Sequence, residues 1–260
     1  MATLPKGCRE AFAQKVRTHH IHTNRMKTHA AITTSIRRGI LAAGILGTFG
    51  VTALTSHAAT VTWGAVTGIT GDSNVSTAGT LVGAFNFNGS ATTINGVAFQ
   101  AFAITGNSNT VGNYTLSAGF MYTSGTGSAV APFSNLSSSY QSLLSGAAGA
   151  GGTMTLNMSG LTVGNAYQFQ TWVNDSTNHN PPGSTFKVDV ASGATVTLDP
   201  NTTIGDGGLG QYVTGTFTAD LTSESVTFTN SEAAVVNGFQ LRLLPAASAV
   251  PEPGSALAGW

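Results

Sequence analysis

A single histidine, His179, lies in the part of this chain that follows residue 58. Asp175 and Ser176 stand in the same polar loop, so the loop holds the three residue types of a hydrolytic triad. The members of such a triad usually come from distant segments, because nucleophile, base and orienting acid must converge from different directions. Three residues in one short loop do not meet that condition, and we expect a solvated loop here.

Carboxylates offer a second route to catalysis, since glycoside hydrolysis needs two carboxyl groups held roughly 5 to 9.5 Å apart. The acids after residue 58 are Asp72, Asp175, Asp189, Asp199, Asp206, Asp220, Glu224, Glu232 and Glu252. Their positions in the sequence give no sign that any two lie at this distance from each other. Asp189 alternates with Val188 and Val190, as it would on a strand. We therefore predict that the protein is not an enzyme, and a secreted glycoside hydrolase is the less favoured alternative.

Calcium binding is the one metal function that the sequence suggests. Ca²⁺ takes six to eight oxygen ligands, and Asp199, Asn201 and Asp206 supply side-chain oxygens within one short segment. Their spacing does not match an EF-hand. Because aspartate and asparagine also form turns through their own backbone, a turn is the favoured interpretation and a structural calcium is the alternative. No other cofactor is expected.

Sugar binding would use an exposed aromatic ring as a flat apolar platform, with amide or hydroxyl groups beside it. Trp172 is the best candidate, because it alternates with Tyr167 and Phe169, which we expect to face inward. Asn174 and Asp175 follow it closely and would supply the polar contacts. Aromatic residues on alternating strands are more often part of a core, so burial of Trp172 is the competing expectation.

Charge divides the chain into two parts. Eight of the ten lysine and arginine residues lie between Lys6 and Arg38, which leaves two bases, Lys187 and Arg242, against nine acids after residue 58. Two bases cannot neutralise a phosphate backbone, so we expect no nucleic-acid partner.

Residues 1–58 have the features of an export signal. Arg37 and Arg38 precede an apolar run at 39–54, which is shorter than the ~20 residues that a membrane span needs. Ser56 and Ala58 are small residues at the positions that a signal peptidase reads, so we expect cleavage after Ala58 or Ala59. An uncleaved anchor is the alternative. Met26 is an alternative start that would make the signal conventional in length, with the preceding residues as a basic extension.

Residues 59–245 are expected to form one all-β domain. Glycine, serine, threonine and asparagine dominate, and polar and apolar residues alternate in about eleven segments, as in half-buried strands. Tyr140, Leu143 and Leu144 are spaced three and four apart, which predicts one short helix near 137–144, capped by Ser137 or Ser138. Many short strands with little helix favour a two-sheet antiparallel β-sandwich of the jelly-roll kind.

Residues 246–260 read as a linker followed by Pro251, Glu252 and Pro253. This tail resembles the start of the PEP-CTERM sorting signal of exopolysaccharide-producing Gram-negative bacteria. The resemblance implies that an exosortase and the export machinery are partners and that these three residues are recognised rather than catalytic. Only seven residues follow Pro253, without an apolar span or an arginine cluster. The signal is therefore expected to be truncated or degenerate, and the chain as given has no stable membrane span.

A second resemblance concerns the domain itself. The segment 160–169, with Gly160, Leu161, Gly164 and Tyr167, is similar to a turn-and-strand found in carbohydrate-binding-like jelly rolls. Together these features predict an exported, non-catalytic protein of the cell surface or extracellular matrix that associates with exopolysaccharide. The alternative is a carbohydrate-binding module with a defined glycan ligand.

Overall fold

A computed structural model of the chain describes residues 59–177, 187–203 and 205–246, apart from the side chains of Ser231 and Glu232. The export signal at 1–58, His179, and the sorting residues Pro251, Glu252 and Pro253 lie outside the described residues.

The described residues are mostly β-structure, as the alternating sequence predicts. They form fifteen strands and one α-helix: β1 (Thr62–Trp63), β2 (Thr67–Gly68), β3 (Thr80–Phe87), β4 (Thr92–Ile94), β5 (Val97–Phe102), β6 (Ser108–Val111), β7 (Tyr114–Ala118), β8 (Met121–Gly125), α1 (Ser138–Leu144), β9 (Gly146–Ser159), β10 (Ala166–Val173), β11 (Val188–Ser192), β12 (Ala194–Leu198), β13 (Gln211–Thr218), β14 (Ser223–Val236) and β15 (Gly238–Leu243).

Two sheets carry these strands. The eight-stranded sheet has the order β1-β13-β10-β15-β3-β5-β4, with β2 also paired to β13. The seven-stranded sheet has the order β12-β11-β14-β9-β7-β6, with β8 also paired to β9. The predicted all-β sandwich of two sheets is confirmed.

Strand number and direction differ in detail from the expectation of about eleven antiparallel strands. The additional strands β2, β4 and β6 have four residues or fewer, too short for alternation to show. Strand β8 begins inside the segment 113–122, which reads as one strand in the sequence. Strand β5 pairs in parallel with β3. The reason is the β4–β5 hairpin at Asn95 and Gly96: β4 lies at the sheet edge, and β5 returns beside β3 in the direction of β3.

The main core lies between the two sheets. Tyr167, Phe169 and Val173 of β10 point into it, as their alternation predicts. Leu156 and Phe228 contribute from the opposite sheet, and both are fully buried. Phe239 is central, because its ring packs against four other aromatic rings of this core, those of Phe85, Phe87, Tyr114 and Phe169.

A second core covers the other face of the eight-stranded sheet. Helix α1 places Tyr140, Leu143 and Leu144 on that face, where they pack with residues such as Trp172 and Phe99. The predicted helix is confirmed, and its N-cap is Ser137, whose hydroxyl accepts a hydrogen bond from the Tyr140 amide at 3.1 Å. The eight-stranded sheet is therefore buried on both faces where the helix lies.

Candidate glycan site

Trp172, the predicted platform, is buried in the second core. Its side chain is fully inaccessible, its indole N–H donates to the Tyr140 hydroxyl at 2.9 Å, and its ring meets Phe99 edge-on at 5.6 Å. The prediction that Trp172 contacts a glycan is therefore wrong. Trp172 does face away from Tyr167 and Phe169, as alternation requires, but α1 covers that face and excludes solvent from it.

Asn174 is also a structural residue, so its assignment as a glycan contact is wrong as well. It is fully buried, and its side-chain oxygen accepts from the Gly210 amide at 2.9 Å. The backbone N–H of Asn174 donates to the side-chain oxygen of Asn237 at 2.6 Å. The Asn237 amide group donates in turn to Thr126 Oγ1 and to the carbonyls of Leu144 and Gly146. These two asparagines thus hold the end of α1 against both sheets.

Asp175 lies close to the surface, although only 8% of it is exposed. Its carboxylate accepts from the backbone amide of Thr177 at 3.0 Å and from the hydroxyl of the same residue. Ser176, the next residue, is fully buried and its hydroxyl bonds Asn174. Asp175 is therefore the one predicted glycan contact that the structure leaves at the edge of solvent.

The proposed calcium residues act as turn formers in this structure. Asp199 accepts from the Asn201 amide at 2.9 Å, and the buried Asn201 side chain donates to the carbonyls of Asp175 and Gly205. Asp206 instead accepts from the hydroxyl of Ser128 at 2.5 Å. Within the described part of the chain, no three histidine, cysteine, aspartate or glutamate side chains cluster as metal ligands. A calcium site here stays a prediction.

Among the described residues, the exposed aromatic side chain is Phe120, which directly precedes β8, and the half-buried Tyr122 lies beside it. Phe120 is 62% exposed, more than any other large apolar side chain of the described residues. Its ring centroid is 6.2 Å from that of Tyr122, with 35° between the planes. We call Phe120 and Tyr122 the aromatic edge. Met121 between them points into the main core, so the aromatic edge lies on the outer face of the seven-stranded sheet.

Tyr122 is held in place by the strand next to it. Its cross-strand partner is Gly149, and a Cβ atom there would lie 2.3 Å from the tyrosine ring, so the ring rests directly on glycine backbone. Burial raises the pKa of Tyr122, and the negative charge of Asp175 raises it further.

Two shallow surface depressions meet at the far end of β8. They have volumes of about 470 and 600 Å³ and share Gly125 and Ser145. Ser124, Ser90, Ser142 and Asn88 line the first, together with glycine and alanine. All the lining residues of both depressions are uncharged, and we call the pair the polar hollow. Because Ser124 is two residues beyond Tyr122 on the same strand, the two side chains share a face.

Phe120 did not stand out in the sequence because 113–122 reads as one continuous strand. The structure divides it into β7 and β8, and Gly119 and Phe120 form the connection between them. Gly119 is the signal that was available: glycine inside a strand pattern often marks a break, and an aromatic residue at a break has no neighbouring strand to cover it.

The other described aromatic residues are all less exposed than Phe120. Trp63 is half-buried, its indole N–H donates to the Ala194 carbonyl at 3.0 Å, and its ring contacts Phe169 edge-on. Tyr212 is half-buried against the second core. Neither residue lines the polar hollow.

Comparison with known proteins adds little. No protein-family model matches the chain, and no curated protein sequence matches it. A solved structure described as one of the carbohydrate-binding modules from the β-sandwich superfamily, with promiscuous specificity, is 11% identical. It covers 57% of this chain and 71% of its own length at a TM-score of 0.13, which supports no conclusion about fold or ligand. Among the described residues, no helix has the length and apolarity to cross a membrane.

Proposed function

We propose that this is an exported, non-catalytic surface protein that associates with exopolysaccharide through the aromatic edge and the polar hollow. One observation carries the glycan part of the proposal: Phe120 is 62% exposed and its ring lies beside that of Tyr122, on the strand that leads into the polar hollow. Large apolar side chains are normally withdrawn from water, and an exposed aromatic ring that packs on a half-buried one beside polar groups is typical of a binding surface.

The chemistry of the surface favours a neutral sugar. A pyranose ring offers an apolar face that can lie on an aromatic ring, while serine hydroxyls and the Asn88 amide can bond its hydroxyl groups. Recognition of an acidic sugar would need an accessible cation. Of the two bases after residue 58, Lys187 is exposed but does not line the polar hollow. The Arg242 guanidinium is not accessible, because it donates to the backbone carbonyls of Thr77, Ala78 and Gly79. We therefore propose neutral exopolysaccharide as the ligand class.

The placement of the acids supports a non-catalytic role. Asp72 accepts from the Ser137 hydroxyl at 2.6 Å, and Asp189 accepts from the Thr197 hydroxyl at 2.6 Å. Asp206 is bonded by Ser128. Each of these carboxylates is used in a local structural bond, whereas a glycosidase needs two carboxylates facing one bond of the substrate.

Export and sorting form the other half of the proposal, and only the sequence supports them. The basic, apolar and small-residue order of 1–58 supports secretion. The Pro251–Glu252–Pro253 tail supports handling by an exosortase, with a location at the cell surface or in the extracellular matrix of a Gram-negative envelope.

Affinity for a panel of neutral and acidic polysaccharides tests the glycan part. The protein should bind at least one neutral polymer. Changing Phe120→Ala together with Tyr122→Ala should weaken binding about tenfold or more, because the apolar platform is lost; tenfold corresponds to 1.4 kcal/mol. Val163→Ala is the matched control, since Val163 is a large apolar side chain that is 55% exposed outside the aromatic edge. Failure to bind any polysaccharide, or equal binding by the double variant, would refute the proposed site.

A further inference from the structure

Glu224 is a buried carboxylate whose hydrogen bonding is incomplete. It lies at the start of β14 with 2% of its surface exposed. One oxygen, Oε1, accepts from the Ser192 hydroxyl at 2.7 Å, but the other, Oε2, is buried and has no hydrogen-bond partner. A buried charge with an unsatisfied atom is strongly unfavourable, so this site lacks a donor.

The backbone of Ala59 lies beside this carboxylate. Ser192 connects the two, because its hydroxyl is 2.7 Å from Glu224 Oε1 and 3.4 Å from the Ala59 carbonyl. The Val61 amide donates to the Ser192 carbonyl at 3.1 Å, which fixes the first residues of the domain against β11. Ala59 itself is 9% exposed. The start of the folded domain is thus held close to Glu224.

The electrostatics of Glu224 point to the same neighbour. Burial raises the pKa of Glu224, while the Ser192 hydroxyl and the backbone amides of Ser225 and Ala59 lower it. The Asp220 carboxylate, which is exposed, raises it again. The Ala59 amide thus acts on the carboxylate, yet a peptide amide has one proton, and Oε2 remains unsatisfied.

Ala59 is also one of the two residues at which the sequence predicts a new N-terminus. Hydrolysis of the Ala58–Ala59 bond adds the hydroxyl of water to the Ala58 carbonyl carbon and the proton to the Ala59 nitrogen. The resulting amine takes up the proton that the new Ala58 carboxyl group releases, and it becomes an α-ammonium group with three donors and a positive charge near neutral pH. Cleavage one bond later would remove Ala59 and leave Glu224 as it is.

We propose that an export peptidase cleaves after Ala58 and that the resulting α-ammonium group of Ala59 forms a buried ion pair with Glu224. This inference rests on the export proposed above. It selects one of the two predicted bonds and gives Glu224 a role: the missing donor is supplied only when the signal is removed. Processing therefore completes the polar bonding of the sandwich.

The first test uses the full chain expressed in a Gram-negative bacterium, followed by fractionation and by mass spectrometry of the intact protein. We expect an exported protein that begins at Ala59. An exported protein that begins at Thr60 or at any other residue would overturn this inference and leave the proposed export intact. An uncleaved chain retained in the cytoplasm would overturn both.

The second test measures the pKa of the α-amine in the processed protein, from the pH dependence of the Ala59 methyl resonance. We expect a value about one unit or more above that of the same protein unfolded in urea, because a nearby carboxylate favours the charged amine. Glu224→Gln should remove most of this shift, whereas Asp220→Asn, which changes an exposed acid that acts on the same carboxylate, should retain it. An ordinary amine pKa in the folded wild-type protein would disprove the ion pair without reference to any variant.

Discussion

The outer faces of the two sheets are built from similar alternating strands but meet different surroundings. On the seven-stranded sheet, hydroxyl pairs such as Thr153 with Thr229, at 3.1 Å, and Thr110 with Thr115, at 2.9 Å, stay exposed. On the eight-stranded sheet, the outer face carries Trp172 and Phe99 and is covered by α1. We call these the open face and the covered face. Alternation separates two faces of a strand, but it does not say which of them reaches water.

Part of the covered face is polar, although it is buried. Gln170 accepts from the Ser76 amide at 3.0 Å and from the Gln240 side chain at 2.6 Å. Arg242 continues the row and binds the carbonyls of 77–79. These three side chains are nearly inaccessible. Their alternation is that of a solvent-facing row, yet the segment 76–79 lies over them and its backbone satisfies their hydrogen bonds.

The largest difference between the faces should come from truncating their aromatic residues. Trp172→Ala should lower the free energy of unfolding by about 3–5 kcal/mol, because it leaves a large cavity and an unpaired Tyr140 hydroxyl. Phe120→Ala on the open face should change it by no more than about 0.5 kcal/mol. Urea denaturation of both variants measures this difference. Equal losses would show that the covered face has no core of its own.

The next effect concerns the polar anchor beneath the helix. Asn237→Ala removes the donor to Thr126, Leu144 and Gly146 and the acceptor for the Asn174 amide, all of them buried. We expect a loss of about 2–4 kcal/mol, because buried groups left unpaired cost about 1–3 kcal/mol each and can relax in part. Asn157→Ala, which breaks the exposed bond to Ser225, is the control and should cost less than about 1 kcal/mol. A similar loss of stability in both variants would contradict the role of Asn237 as a polar anchor.

A smaller effect is expected at the hydroxyl of Tyr140. Tyr140→Phe leaves the Trp172 indole N–H without its acceptor, so the free energy of unfolding should fall by about 1–3 kcal/mol. Tyr122→Phe on the open face is the matched control and should be nearly neutral. If thermal or urea unfolding shows no loss of stability for Tyr140→Phe, the hydrogen bond from the Trp172 indole does not stabilise the covered face.

Alkaline pH adds a further test of the same residue. Burial raises the pKa of Tyr140 above its ordinary value near 10, and the hydrogen bond from Trp172 offsets only part of this rise. A raised folded-state pKa stabilises the protein fully below pH 10, and this contribution is lost as the pH rises above 10. Stability should therefore decline less steeply above pH 10 in Tyr140→Phe than in the wild type. Identical slopes would argue that the phenol is not buried.

The smallest effect belongs to the hydroxyl pairs of the open face. Thr229→Ala should cost about 0.2–1 kcal/mol, since it removes one exposed cross-strand contact with Thr153. Thr229→Ser keeps the hydroxyl and separates the loss of the bond from the loss of the methyl group. A cost above about 2 kcal/mol would indicate that this face is covered in solution.

Much of the fold could be predicted because its signals are local. The alternation of Tyr167, Phe169 and Val173 placed them on one face, and the spacing of Tyr140, Leu143 and Leu144 predicted α1 together with its Ser137 cap. The candidate site was predicted less well. Trp172 and Asn174 are interior, while Phe120 was hidden inside a segment that reads as one strand. Exposure depends on which distant segment covers a residue, and no local pattern contains that information.

The sequence by itself determined the class of this protein: a weakly charged, threonine-rich domain with alternating polar and apolar residues forms sheets, because alternation suits the two faces of an extended strand. It also separated the basic leader from the domain. Only the tertiary structure decided that a helix covers one sheet and leaves the other open, and that Glu224 lies beside Ala59, 165 residues earlier in the chain. Such pairings result from the packing of segments that are remote in sequence, and packing is decided by the whole fold at once.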